Sequence, residues 1–103
     1  MVRTIRQIAQ ENGYEVARFH HGQKNEYELR KQTISFWVIG SPSEGYNLYA
    51  EREFILPEGL PVTLYKYTYK NLPYTEYRLA STERLNCWAV INEEQLEQIL
   101  KLN

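Results

Sequence analysis

At 103 residues, 43% hydrophobic and 24% charged, the chain has the size and balance of one soluble domain with a single modest core. A formal net charge of −1 argues against a sequence-independent nucleic-acid binder, which needs a basic excess to displace counterions. One cysteine, Cys87, excludes an internal disulfide and a multi-cysteine zinc site.

The chain opens on an amphipathic stretch. Val2, Ile5, Ile8 and Ala9 share one stripe at helical spacing, Arg3, Arg6, Gln7 and Gln10 lie off it, and Asn12-Gly13 is a stop signal. Alternation then takes over, and 14–20, 26–31, 33–39, 46–55, 62–70, 74–80 and 85–91 read as strands. Most connections are short and carry glycine, proline or asparagine, which favours antiparallel hairpins over parallel crossovers. No such signal separates Lys31 from Thr33, so the second and third strands read equally well as one long strand. A second helix closes the chain. Asn92 is its N-cap, Gln95 holds the reciprocal capping-box position, Glu93 and Glu94 sit in the first turn, and Leu96, Ile99 and Leu100 form the apolar stripe. The expected fold is α+β, a single domain over 1–103. It is an antiparallel meander sheet of about five to seven strands, strongly twisted or partly closed, flanked by a short N-terminal and a short C-terminal helix.

Two of these strands are apolar on both faces. Ile34, Phe36 and Val38 oppose Trp37 and Ile39, while Cys87, Ala89 and Ile91 oppose Trp88 and Val90. Strands of this kind need cover on both sides, and two helices of about ten residues, each ~15 Å long, cover one. The missing cover points to a curled sheet, to self-association, or to a partner. Cys87 within its apolar run reads as a small buried hydrophobe.

The segment 62–78 holds five of the nine tyrosines. In an extended strand Tyr65, Tyr67 and Tyr69 share one face, and Val62, Leu64, Lys66, Thr68 and Lys70 the other. Such a row is a core wall, a protein interface, in which tyrosine is enriched, or a stacking platform for bases. The candidate binding residues are Tyr65, Tyr67, Tyr69, Tyr74 and Tyr77, with Lys66, Lys70 and Arg78 supplying orientation. Placing the lysines opposite the tyrosines weakens the nucleic-acid version. The charge distribution keeps it open: 1–31 carries six Lys/Arg against four Glu, and 62–85 four against two.

Catalytic signals are sparse. Every acid is a glutamate, which lowers the prior for metal-dependent phosphoryl chemistry and Ser-His-Asp triads. His20-His21 with Glu26 and Glu28 is the one metal-like cluster, but adjacent strand residues point apart and catalytic zinc wants three protein ligands. Glu28-Leu29-Arg30 and Glu76-Tyr77-Arg78 read as cross-strand charge pairs on a solvent face. No catalytic residue, metal ligand or cofactor is assigned. No apolar run approaches the ~20 residues of a membrane span, and Met1 leads straight into polar sequence. The expectation is a non-enzymatic, cytoplasmic binding or regulatory module without a membrane partner. Its tyrosine face acts on a protein partner or its own copy, with nucleic acid as the alternative partner and a small metal-dependent nuclease or hydrolase as the remote one.

Overall fold

The structure is a computed structural model that describes residues 3–21, 24–84 and 88–103. Val2 and Cys87, placed above on a helical stripe and in an apolar run, lie outside the described residues. No helix among those described is long and apolar enough to cross a membrane.

Both helices begin at capping boxes. Ahead of α1 (Ile5–Glu11) the Thr4 hydroxyl accepts the Gln7 N–H at 3.1 Å, and the Gln7 side chain accepts the Thr4 N–H at 2.8 Å. Asn92 and Gln95 make the same exchange at 2.9 and 3.0 Å ahead of α2 (Glu93–Leu102), as their spacing predicts. Asn12 ends α1, and Gly13 takes φ +83°, which an L side chain rarely adopts.

Six strands form one open antiparallel sheet in the order β1-β2-β3-β4-β6-β5. They are β1 (Glu15–His21), β2 (Lys24–Arg30), β3 (Ser35–Ser41), β4 (Gly45–Ala50), β5 (Val62–Thr68) and β6 (Thr75–Ser81). β2 and β3 are separate strands. The Lys31 N–H donates to the Ile34 carbonyl at 2.8 Å, closing a tight turn that contains neither glycine nor proline. Between β3 and β4 the turn does use glycine: Gly40 has φ +144°, and a Cβ there would stand 2.1 Å from the Gly45 carbonyl oxygen. After β4 the chain leaves the sheet. Residues 51–61 bury Phe54 and pack Leu56 and Leu60 against the core, then deliver β5 to the sheet edge. β6 returns between β5 and β4.

β4 and β6 pair at only two positions, Tyr49↔Arg78 and Ala50↔Tyr77, and then diverge. Residues 88–91 enter the gap. Trp88 bridges Ala80, Ile91 bridges Tyr46, and the Ala89 N–H donates to the Leu79 carbonyl at 3.1 Å. The Asn47 amide closes what remains, donating to the Ala89 carbonyl at 2.7 Å and the Leu79 carbonyl at 3.4 Å. The described part of the expected seventh strand is therefore two isolated bridges. A strand cannot run antiparallel to both β4 and β6, because those two already run antiparallel to each other.

Both helices pack on one sheet face. Leu29, Phe36, Val38, Tyr46, Leu48, Ala50 and Leu79 are buried there with Ile8, Leu96, Ile99 and Leu100. Phe36 sits at the centre, edge-on to Phe54 with ring centroids 5.0 Å apart and tilted against Tyr14 at 6.0 Å. The helices are tied together by Arg3, whose guanidinium donates to Glu97 at 2.6 and 2.9 Å and to Glu11 at 2.5 Å. Tyr14 donates its buried hydroxyl to the Leu100 carbonyl at 2.8 Å. Burial raises that phenol to about 12. The opposite sheet face receives neither helix.

Candidate functional site

Strand register defines the uncovered face residue by residue. Glu28 pairs with Trp37, Trp37 with Tyr49, Tyr49 with Arg78, and Arg78 with Tyr65, so one row of side chains crosses five strands. A second row runs through Glu26, Ile39 and Asn47, and Glu76 pairs with Tyr67 at the β5 end. Strand alternation puts all of them opposite the helix-packed side chains.

Arg78 is the centre of this surface. Its guanidinium carbon lies 4.5 Å from the Tyr49 ring centroid and 4.8 Å from that of Trp88. Tyr49 in turn stacks on Trp37 at 5.7 Å with the rings 13° from parallel. Trp88 meets Tyr65 edge-on at 6.1 Å. The result is an aromatic–cation column running from β3 to β5.

Two buried carboxylates underlie it. Glu76, 3% exposed, accepts from Arg78 Nε at 2.6 Å and from the Tyr69 hydroxyl at 3.2 Å. Glu26 accepts from the Tyr49 hydroxyl. A buried carboxylate is stable when donors surround it, and here the donors are the aromatic hydroxyls and the arginine of the same face. Beyond the ends of β5 and β6, Tyr69 contacts Tyr67 at 4.7 Å and Tyr74 at 5.2 Å. Desolvation raises the Tyr69 and Tyr74 phenols above their ordinary value, Glu76 adds to both, and Glu51 adds to Tyr74. Glu76 therefore lies beside the tyrosine cluster with Arg78 as its counter-charge.

The eight candidate residues divide. Tyr65, Tyr67 and Arg78 lie on the uncovered face, and Tyr69 and Tyr74 extend it through their ring contacts. Tyr77 belongs to the other face, where it packs against the helix-side core, and Lys66 is its cross-strand partner there. Lys70 is exposed in the turn between β5 and β6. Lys66 therefore stands across the sheet from the tyrosine row.

Sequence reasoning missed Trp37, Tyr49, Trp88 and the carboxylates Glu26 and Glu76. Trp37 was legible as the side chain opposite Phe36 and Val38. Its union with Tyr49 and Arg78 depends on β3–β4–β6 register, which no local pattern encodes. In the last segment the missing cover is visible directly: Ile91 is buried, while Trp88 is 48% and Val90 60% exposed. The Glu-x-Arg pairs are real but run along a strand, with Glu28 and Arg30 3.6 Å apart and Glu76 and Arg78 2.6 Å apart.

Trp37 borders an open depression of about 220 Å³ that Lys31, Ser35, Glu51 and Arg52 also line. No group of three His, Cys, Asp or Glu residues among those described is arranged to hold a metal ion; the side chains of His20 and His21 lie outside that description. Comparison with known protein families, with curated proteins and with solved structures finds no match.

Proposed function

We propose that this protein is a non-enzymatic binding module whose uncovered sheet face docks a protein partner. One observation carries the reading: both helices pack on the same side, so the column Trp37–Tyr49–Arg78–Trp88–Tyr65 and the cluster Tyr67–Tyr69–Tyr74 have no cover from the chain's own helices. Tyr67 is 42% and Trp88 48% exposed, and exposed aromatics beside arginine are the composition of interface centres. The mechanism is burial of aromatic faces on rings already fixed by their neighbours, so little side-chain freedom remains to be lost on docking.

Charge favours protein over nucleic acid. Among the described side chains, strand pairing puts Glu15, Glu26, Glu28 and Glu76 on the uncovered face with Arg30 and Arg78, both of which pair with glutamates. At the tyrosine cluster a phosphate backbone meets Glu76, whose carboxylate already holds Arg78.

The test is selection of peptides from a random display library on the immobilised protein, with the winners titrated against variants. Trp88→Ala and Tyr67→Ala should weaken them about tenfold or more, the signature of interface anchors. Lys66→Ala, on the other face, should leave affinity unchanged. Peptides indifferent to both aromatic variants would place binding elsewhere. Labelled single-stranded DNA or RNA that binds at physiological salt through Tyr67 and Trp88 would overturn the protein reading in favour of nucleic acid.

A further inference from the structure

Strand β5 is a sheet edge, paired with β6 on one side and with no other strand among the described residues on the other. An edge strand presents unpaired N–H and C=O groups to any chain that fits them. Register identifies which residues supply them. The Tyr69 N–H donates to the Tyr74 carbonyl at 3.4 Å, and this couple continues the series Thr68↔Thr75, Tyr67↔Glu76. Hydrogen-bonded and non-hydrogen-bonded couples alternate along an antiparallel ladder. Tyr67↔Glu76, Tyr65↔Arg78 and Thr63↔Ala80 are therefore the hydrogen-bonded couples, turned toward β6. Leu79, opposite Leu64, agrees with this, since its carbonyl accepts the Ala89 N–H from the side away from β5. Val62, Leu64, Lys66 and Thr68 then direct their backbone groups outward from the edge.

We propose that β5 pairs antiparallel with β5 of a second copy about a twofold axis through Tyr65, joining two sheets into one. Tyr65 is the midpoint of Val62–Thr68, so this register sets Val62 against Thr68 and Leu64 against Lys66, and all four outward residues of each copy find a hydrogen-bonding partner. A slip of two residues leaves outward groups unmatched at the ends, and one of the two slips sets Lys66 against Lys66. The chosen register places that single charge opposite an apolar residue instead. Tyr65 meets its own copy at a narrow, non-hydrogen-bonded site, where Cα atoms approach to about 4.5 Å, and Thr63 faces Tyr67. Trp88 already touches Tyr65, so the axis gathers two tyrosines flanked by two tryptophans. β5 has continuous pairing with β6, no bulge and no proline, so it lacks the devices that blunt edges, apart from Lys66. A contact that uses the same patch on both copies closes at two and does not grow into a fibre.

Sedimentation velocity across about 1–500 µM, the range of weak self-association, tests the state. The unmodified chain should pass from monomer to dimer within it. Tyr65→Lys, which sets two cations face to face on the axis, should require at least about tenfold more protein to dimerise while keeping its circular dichroism and melting temperature. Oxidative trapping tests the register without relying on that variant. In a Cys87→Ser background, Tyr65→Cys should form an intermolecular disulfide, because the close couple has the required separation. Thr63→Cys and Tyr67→Cys should each form no disulfide-linked dimer alone and should cross-link when the two variants are mixed. A chain monomeric throughout the range with no trapping at position 65 overturns the proposal. Trapping through Lys66→Cys in preference to Tyr65→Cys overturns its register.

Discussion

Arg78 shows how one residue organises a face. Its planar guanidinium lies against Tyr49 and Trp88 while Nε anchors to buried Glu76, a combination lysine cannot reproduce because its point charge lacks both plane and fork. Arg78→Lys should therefore cost about 1 kcal/mol in urea denaturation, the scale of a lost aromatic–cation contact. A change indistinguishable from zero would show that the column contributes no stability. Glu97 is the corresponding residue of the helix pair. Hydrogen bonds from Arg3 and Asn12 hold its carboxyl at about 2, below the ~4.3 of an unfolded chain. A carboxyl with a depressed folded value stabilises the fold above its unfolded pKa and loses that contribution as pH falls toward the folded one. The melting temperature should thus drop between about pH 4.3 and pH 2, and Glu97→Gln should flatten that arm of the profile. An unchanged profile in the variant would assign acid sensitivity to other carboxylates.

Elements were legible where the signal is local. The apolar stripe Leu96, Ile99, Leu100 and the Asn92–Gln95 spacing predict α2, and both sides of its capping box are made. Asn92→Ala removes one side of that exchange and should cost about 1 kcal/mol, whereas Asn92→Asp should be nearly neutral; equal losses for both would mean that the cap is not what the asparagine supplies. Alternation likewise separates Phe36 and Val38 from Trp37 and Ile39 in β3, while the side that packs on the helices is visible only in the fold. Three features lay beyond local pattern. The Lys31–Ile34 turn uses no punctuating residue, so its hydrogen bond is visible only in the fold. The placement of β6 between β4 and β5 is a long-range pairing made after residues 51–61 have left the sheet. The wedge at 88–91 exists because β4 and β6 diverge after two couples. For the same reason Tyr77 stood among the candidate binding residues with Tyr65: counting along each strand is reliable, but which face of β6 matches which face of β5 is a property of their register.

At the scale of the molecule the two sheet faces are built for different ends. The helix side is closed by aliphatic side chains and Phe36, which is fully buried between Tyr14 and Phe54; truncating it to alanine leaves a cavity that neighbours on both sides hold open. Phe36→Ala should therefore destabilise by about 3–5 kcal/mol. Tyr67, on the other face, is 42% exposed and contacts Tyr69 at its flank, so Tyr67→Ala should cost under about 1 kcal/mol. Chemical denaturation of the two variants side by side measures the contrast. If Tyr67→Ala approaches Phe36→Ala in cost, the tyrosine cluster is a second core and its exposure has no binding role. If the gap holds while the same substitution weakens selected peptides about tenfold, the cluster contributes to recognition what it does not contribute to folding. A sheet with one face spent on its own helices then has the other free for a partner.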